Sequence, residues 1–182
     1  MRQAITIRTV ASALLLLLAS LHAFAQSSRP SDAQMLGILL VANQAEIATG
    51  QLALRRTQSR SVQSFASRMV SEHGQVYQEG LALLQRLGAE AQPSGVSDDL
   101  TRQTRDDLQT LDNADARDFD LTYLNREVFF LQQLVKSVDG FIRSTTSADL
   151  KTLLVRSRPS FILQLDQAHR LQLALDRPGF SH

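Results

Sequence analysis

Apolar residues recur along most of this chain at intervals of three and four, the spacing of one face of an α-helix. Leu36, Leu40, Asn43, Ile47, Gly50 and Leu54 form the first such stripe. Ser31-Asp32-Ala33-Gln34 ahead of it matches a capping box with an acid in the first turn, so a helix is predicted from Ser31 to Arg56–Gln58. Val62, Phe65, Met69, His73, Val76, Gly80 and Leu84 make a second stripe, capped by Ser59 or Ser61 and stopped by Gly88. Phe119, Tyr123, Glu127, Phe130, Leu134, Val138 and Phe141 make a third, with Asn113-Ala114-Asp115 as the break and cap before it. Leu150, Leu154, Phe161, Leu165 and Ala168 make a fourth, running to about Leu175 and ended by Arg177-Pro178-Gly179. Pro159 inside it predicts a kink or local unwinding.

Between the second and third stripes, Ala89–Ser97 holds Pro93 and Gly95 and reads as a loop. Ser97-Asp98-Asp99 then opens a shorter, more polar helix to about Leu111, anchored by Leu100 and Leu108. No stretch alternates strictly as a half-buried strand would. The pattern predicts an all-α antiparallel four-helix bundle with one longer crossover carrying a short extra helix, a connection that ferritin-like bundles have.

The first 25 residues stand apart. Arg2 and Arg8 precede an apolar run from Val10 to Leu21, and Ala23-Phe24-Ala25 supplies the small residues of a cleavage site. This reads as a signal peptide, residues 1–25, cleaved after Ala25. An uncleaved anchor is the alternative, but the run is short against the roughly 20 apolar residues of a span. Residues 26–30 follow as a polar linker, 31–176 as the bundle domain and 177–182 as a C-terminal tail. Cleavage implies a periplasmic or otherwise exported protein with no transmembrane span.

Composition narrows the chemistry. The chain has 182 residues, a net charge of +1, 43% hydrophobic residues and no cysteine. Loss of Arg2 and Arg8 makes the mature charge slightly negative, which gives no electrostatic case for nucleic acid. Without cysteine there is no disulfide, thiol nucleophile, lipoprotein anchor or cysteine-bound metal. There is no glycine-rich phosphate loop and no Gly-x-Ser-x-Gly elbow. Arg55, Arg56, Arg60 and Arg68 gather near the first helix–helix junction and read as a solvated rim.

The residues that do suggest chemistry are polar groups interrupting apolar stripes. A buried carboxylate is costly unless paired, and inward Glu and His are the ligand types of iron, manganese or zinc in helical bundles. Glu46, His73 and Glu127 lie on three predicted helices, and Asp166-x-x-His169 on the fourth has the spacing that puts both side chains on one face. Each also has a plainer reading. His73 can be a core histidine bonded to Glu46 or Asn43, Glu127 a boundary residue reaching solvent or a neighbouring arginine, and Asp166 with His169 solvent-facing. No cofactor is needed on that reading.

Several phrases resemble the exported bacterial family called domain of unknown function 4142. They are Ala45-Glu46-Ile47, Phe65-Ala66-x-x-Met69-Val70-x-x-His73, Phe119-Asp120-x-x-Tyr123-Leu124, and Pro159 ahead of Leu165. The resemblance spans about Ser31 to Leu175 and implies a ferritin-like four-helix bundle, usually exported, with no established biochemical activity. Two departures stand out. Where the family usually carries histidine on the third long helix, this chain has Phe130 and Leu131, and near the end it has Gln164. Only His73 of three inward imidazoles remains. The sequence thus supports two expectations: a non-enzymatic envelope bundle acting on an unknown envelope protein or cell-surface component, or a metal-binding or oxidoreductase bundle.

Overall fold

The computed structural model describes residues 29–176, all helical or loop, with no strand among them. The expected signal peptide at 1–25, residues 26–28 of the expected linker and the 177–182 tail lie outside the described residues. Five helices follow in order: α1 Asp32–Arg56, α2 Arg60–Leu87, α3 Gly95–Asn113, α4 Phe119–Ser144 and α5 Ala148–Leu175.

Local chemistry accounts for most boundaries. Ser31 Oγ accepts from Gln34 N at 3.2 Å while Gln34 Oε1 accepts from Ser31 N at 3.0 Å, the reciprocal pair expected of a capping box. Ser59 and Ser147 cap α2 and α5 through the amides of Val62 and Leu150. Gly88 ends α2 in the left-handed conformation at φ 57°, which only glycine adopts without steric cost. Two expected boundaries move. α3 starts at Gly95 rather than Ser97, because Ser94 and Ser97 form their own reciprocal cap. α4 starts at Phe119 after Asp118, which makes no side-chain cap bond, and Asn113 belongs to α3. Pro159 does not divide α5, which runs unbroken past it. The carbonyl it leaves unpaired belongs to Val155, and both residues are exposed, so water can serve that oxygen.

All seven residues of the second predicted stripe are buried. In packing order, α1 lies on α2, α2 on α5, α5 on α4 and α4 on α1, with α3 laid against α1 and α4. Being covered on several sides, α1 buries far more than one stripe. Met35, Leu39, Ala42, Glu46, Thr49 and Ala53 form a second buried row at the same three–four spacing. Close approach of α1 to α2 rests on Gly50, where an added Cβ would lie 2.9 Å from Val70 Cγ2 and 3.3 Å from the Ala66 carbonyl oxygen.

Two polar clasps fix the ends. Asp32 accepts from Thr145 Oγ1 at 2.6 Å and Thr146 Oγ1 at 2.7 Å, tying the start of α1 to the α4–α5 turn. Burial there works against ionisation, but the bonds from Thr145 and Thr146 outweigh it and hold the carboxyl below its usual range. Arg56, expected in a solvated rim, instead donates to the carbonyls of Asp112 and Ala114, each at 2.5 Å, and stacks over Phe119. A cation thereby caps the C-terminus of α3, where carbonyls are left without helical partners.

Gly50→Val tests the α1–α2 approach. Overpacking there is expected to cost roughly 1–3 kcal/mol of unfolding free energy, read as a lower denaturant midpoint. An unchanged midpoint would mean the helices part freely at that point.

Candidate functional site: a buried arginine between two glutamates

The second row of α1 and the inner face of α4 meet in a polar cluster. Glu46 and Thr49 come from α1, and Tyr123, Arg126 and Glu127 from α4. Glu46 and Glu127 have no exposed surface, and the Arg126 side chain is 9% exposed. Arg126 Nη1 donates to Glu46 Oε1, to Glu127 Oε1 at 2.9 Å and to Thr49 Oγ1 at 3.2 Å. Its Nε reaches Asp107 Oδ2 on α3 at 3.1 Å, nearer the surface. The guanidinium plane lies over the Phe130 ring, 4.2 Å from its centroid, an apolar floor that favours a delocalised cation.

Charge in this setting is strongly coupled. Burial would lower the Arg126 pKa, but the negative charge of Glu46, Glu127 and Asp107 outweighs it and holds the guanidinium charged. Burial raises Glu46 well above its usual range, Arg126 opposes this, and the neighbouring Glu127 adds to it. One cation faces two carboxyls, and a proton retained on Glu46 removes the excess negative charge. It also supplies a donor to a cluster in which Glu46 Oε2 and Glu127 Oε2 otherwise have none. Burial, and then the charges of Glu127 and Glu46, push the Tyr123 phenol well up, so it stays neutral.

His73 belongs to a neighbouring network. Its Nδ1 lies 2.8 Å from Asn43 Oδ1, and Asn43 donates its amide to Leu39 O at 2.7 Å. The oxygen of Asn43 is therefore the acceptor, which assigns the proton of neutral His73 to Nδ1. The ring stacks on Phe161 at 5.3 Å. Burial, opposed by Gln164 and assisted by the Arg126 charge, pushes the imidazole down to about 3. Gln164 in turn donates to Glu72 Oε2 at 2.9 Å, and Ser160 donates to the same oxygen.

Of the five candidate ligands, the structure brings Glu46 and Glu127 together, with Arg126 bonded to both. Of the two plainer expectations for Glu127, the neighbouring arginine holds and solvent does not: it pairs with Arg126 and is wholly buried rather than at the boundary. The partner of His73 is Asn43 rather than Glu46. Asp166 lies exposed on α5, paired with Arg170 at 2.6 Å, and half-buried His169 meets Gln132 at 3.3 Å. Among the described residues, no three His, Asp or Glu side chains converge as a metal ion would require. The single stripe assigned to each helix leaves Thr49 out and offers an arginine such as Arg126 only as a boundary neighbour of Glu127, not as a buried centre that also holds Glu46. The rows Met35-Leu39-Ala42-Glu46-Thr49-Ala53 and Phe119-Tyr123-Arg126-Phe130 carry the signal that would have found them. A separate apolar cleft of about 230 Å³ opens between α1, α3 and α4, lined by Leu39, Ala42, Leu100, Phe129 and Leu134.

These shifts give opposite pH signatures. The folded His73 value is lower than the ordinary 6.5, so its contribution is full above that pH and is lost as pH falls toward 3. Between pH 6.5 and 5 the loss is about 2 kcal/mol, read by denaturant titration, and His73→Gln should remove that slope. An equal slope in the variant would refute the assignment. Glu46 has a raised folded value, so its contribution is full at acid pH and is lost as pH climbs through that value. Glu46→Gln should therefore gain stability over the native chain as pH rises, and a constant difference between the two would count against a retained proton.

No curated protein and no solved structure matches the chain. The family described as domain of unknown function (DUF4142) matches residues 18–171, most of the sequence. The chain belongs to the DUF4142 family.

Proposed function

We propose that this is an exported, non-enzymatic helical-bundle protein of the cell envelope, which acts through its surface on an envelope protein or cell-surface component. The observation that carries this reading is the closure of the polar interior: the Arg126 guanidinium joins Glu46 and Glu127 inside the fold. Each carboxyl keeps one oxygen without a partner, but both are bonded to a guanidinium and shielded from solvent, which speaks against their serving a substrate as nucleophile or general base. Helix packing in the order α1, α2, α5, α4 and back to α1 supports an antiparallel four-helix bundle of ferritin-like type, with α3 as the crossover helix. No helix among the described residues is long and apolar enough to cross a membrane. Arg2, Arg8, the Val10–Leu21 run and Ala23-Phe24-Ala25 support export.

Metal chemistry is the competing function, and its test is direct. Purified protein is incubated separately with iron, manganese and zinc, desalted and analysed for metal, beside a His73→Ala control. Far less than one ion per chain is expected in both. Stoichiometric metal lost in the variant would replace this reading with a ferritin-like one. Export is checked by N-terminal sequencing of protein from a periplasmic extract. The expected first residue is Gln26, and a chain there beginning at Met1 would contradict cleavage.

A further inference from the structure

Nη1 of Arg126 sits where three oxygens from two helices converge: Glu46 Oε1, Glu127 Oε1 and Thr49 Oγ1. Its Nε holds a fourth, Asp107 Oδ2, contributed by α3. A point surrounded by hard oxygen donors, two of them from wholly buried carboxyls, is a place that calls for a cation. Ferritin-like bundles meet the same electrostatic demand with metal ions. Here the residues do not fit one. A side chain already supplies the positive charge, and an unpartnered N–H donor group, Nη2 of Arg126, is buried with the free Glu46 and Glu127 oxygens. A divalent ion added there would meet a fixed like charge at short range in a low-dielectric interior.

We infer that Arg126 is an internal cation surrogate: its guanidinium takes the position of a metal ion between Glu46 and Glu127, closes that position to divalent cations and makes folding of the bundle independent of them. The inference goes beyond the proposed surface function, because it names what occupies the interior and what removing it exposes. The row of α1 that carries Glu46 and Thr49 would serve either cation; the guanidinium has the added advantage of being covalently part of α4. Its planar fork can hold oxygens from α1 and α3 at once, which a lysine ammonium with a single nitrogen cannot do in this geometry.

The test is a comparison of the native chain with Arg126→Ala and Arg126→Gln, melted with chelator, with manganese and with zinc. The native chain should melt at the same temperature in all three. Arg126→Ala should melt lower in chelator and recover by about 5–10 °C when manganese or zinc is present at a hundredfold excess over its Kd. Titration calorimetry should then give one ion per chain, and adding Glu127→Gln should abolish both effects. Arg126→Gln leaves an amide donor at the carboxyls and covers the case in which Arg126→Ala does not fold; it should show the same recovery. A native chain stabilised by metal through Glu127 would overturn the surrogate role. So would folded variants that neither lose stability nor respond to either ion. Those failures are separable from the proposed function, since variants that ignore metal would leave the metal-free native chain unchanged.

Discussion

A single guanidinium determines how the interior of this protein can exist. Two glutamates on facing helices, both without exposed surface, would repel one another and neither would find a compensating charge in an aliphatic core. Arg126 resolves that conflict from inside, bonding both carboxyls through one nitrogen and the α3 aspartate through another. Three helices are thereby joined at one charged centre, and the choice of which residues face inward on α1 and α4 follows from it. Burying an arginine with two carboxyls is rarely the most stabilising solution for a core. It does specify register, because a slip of one turn would leave a buried charge alone.

The second polar network differs in kind. His73 is neutral, its tautomer set by Asn43 and its ring packed on Phe161. Gln164, in the position where the DUF4142 resemblance leads one to expect an imidazole, donates its amide to Glu72 near the surface, and its oxygen is buried without a partner. An amide offers fixed donor and acceptor atoms and no charge. In place of a basic nitrogen it turns a potential ligand position into a structural one.

Much of the architecture was legible in the sequence because it depends on local rules. Helical periodicity, the Ser31 and Ser59 caps and the Gly88 stop needed no tertiary information. The inner face of α2 is legible for the same reason: that helix buries little beyond one stripe, only Ala66 and Leu83 being added to the seven predicted residues. α1 was read by half, since nothing local says that a helix will be covered on several sides. Its second row has apolar members as small as Ala42 and Ala53, and polar members Glu46 and Thr49 that dilute the pattern. The inward turn of Arg126 toward Glu46 stays hidden for a stronger reason. Arginine is almost never buried, and only the knowledge that Glu46 lies opposite makes an inward arginine favourable. The candidate site is thus a property of two rows meeting in space, whereas each element can be recognised alone.

A closed interior requires that the Arg126 guanidinium be held rigidly by its carboxyls in solution. Arginine side-chain ¹⁵N NMR at neutral pH measures this, through hydrogen exchange and rotation of the guanidinium groups. The prediction is one arginine, removed by Arg126→Lys, whose Nε and Nη protons exchange slowly and whose Nη groups are not averaged by rotation, set against fast averaging for exposed arginines such as Arg60 and Arg170. Fast exchange and free rotation for every arginine would contradict it, and would return Glu46 and Glu127 to the status of carboxyls in need of another partner.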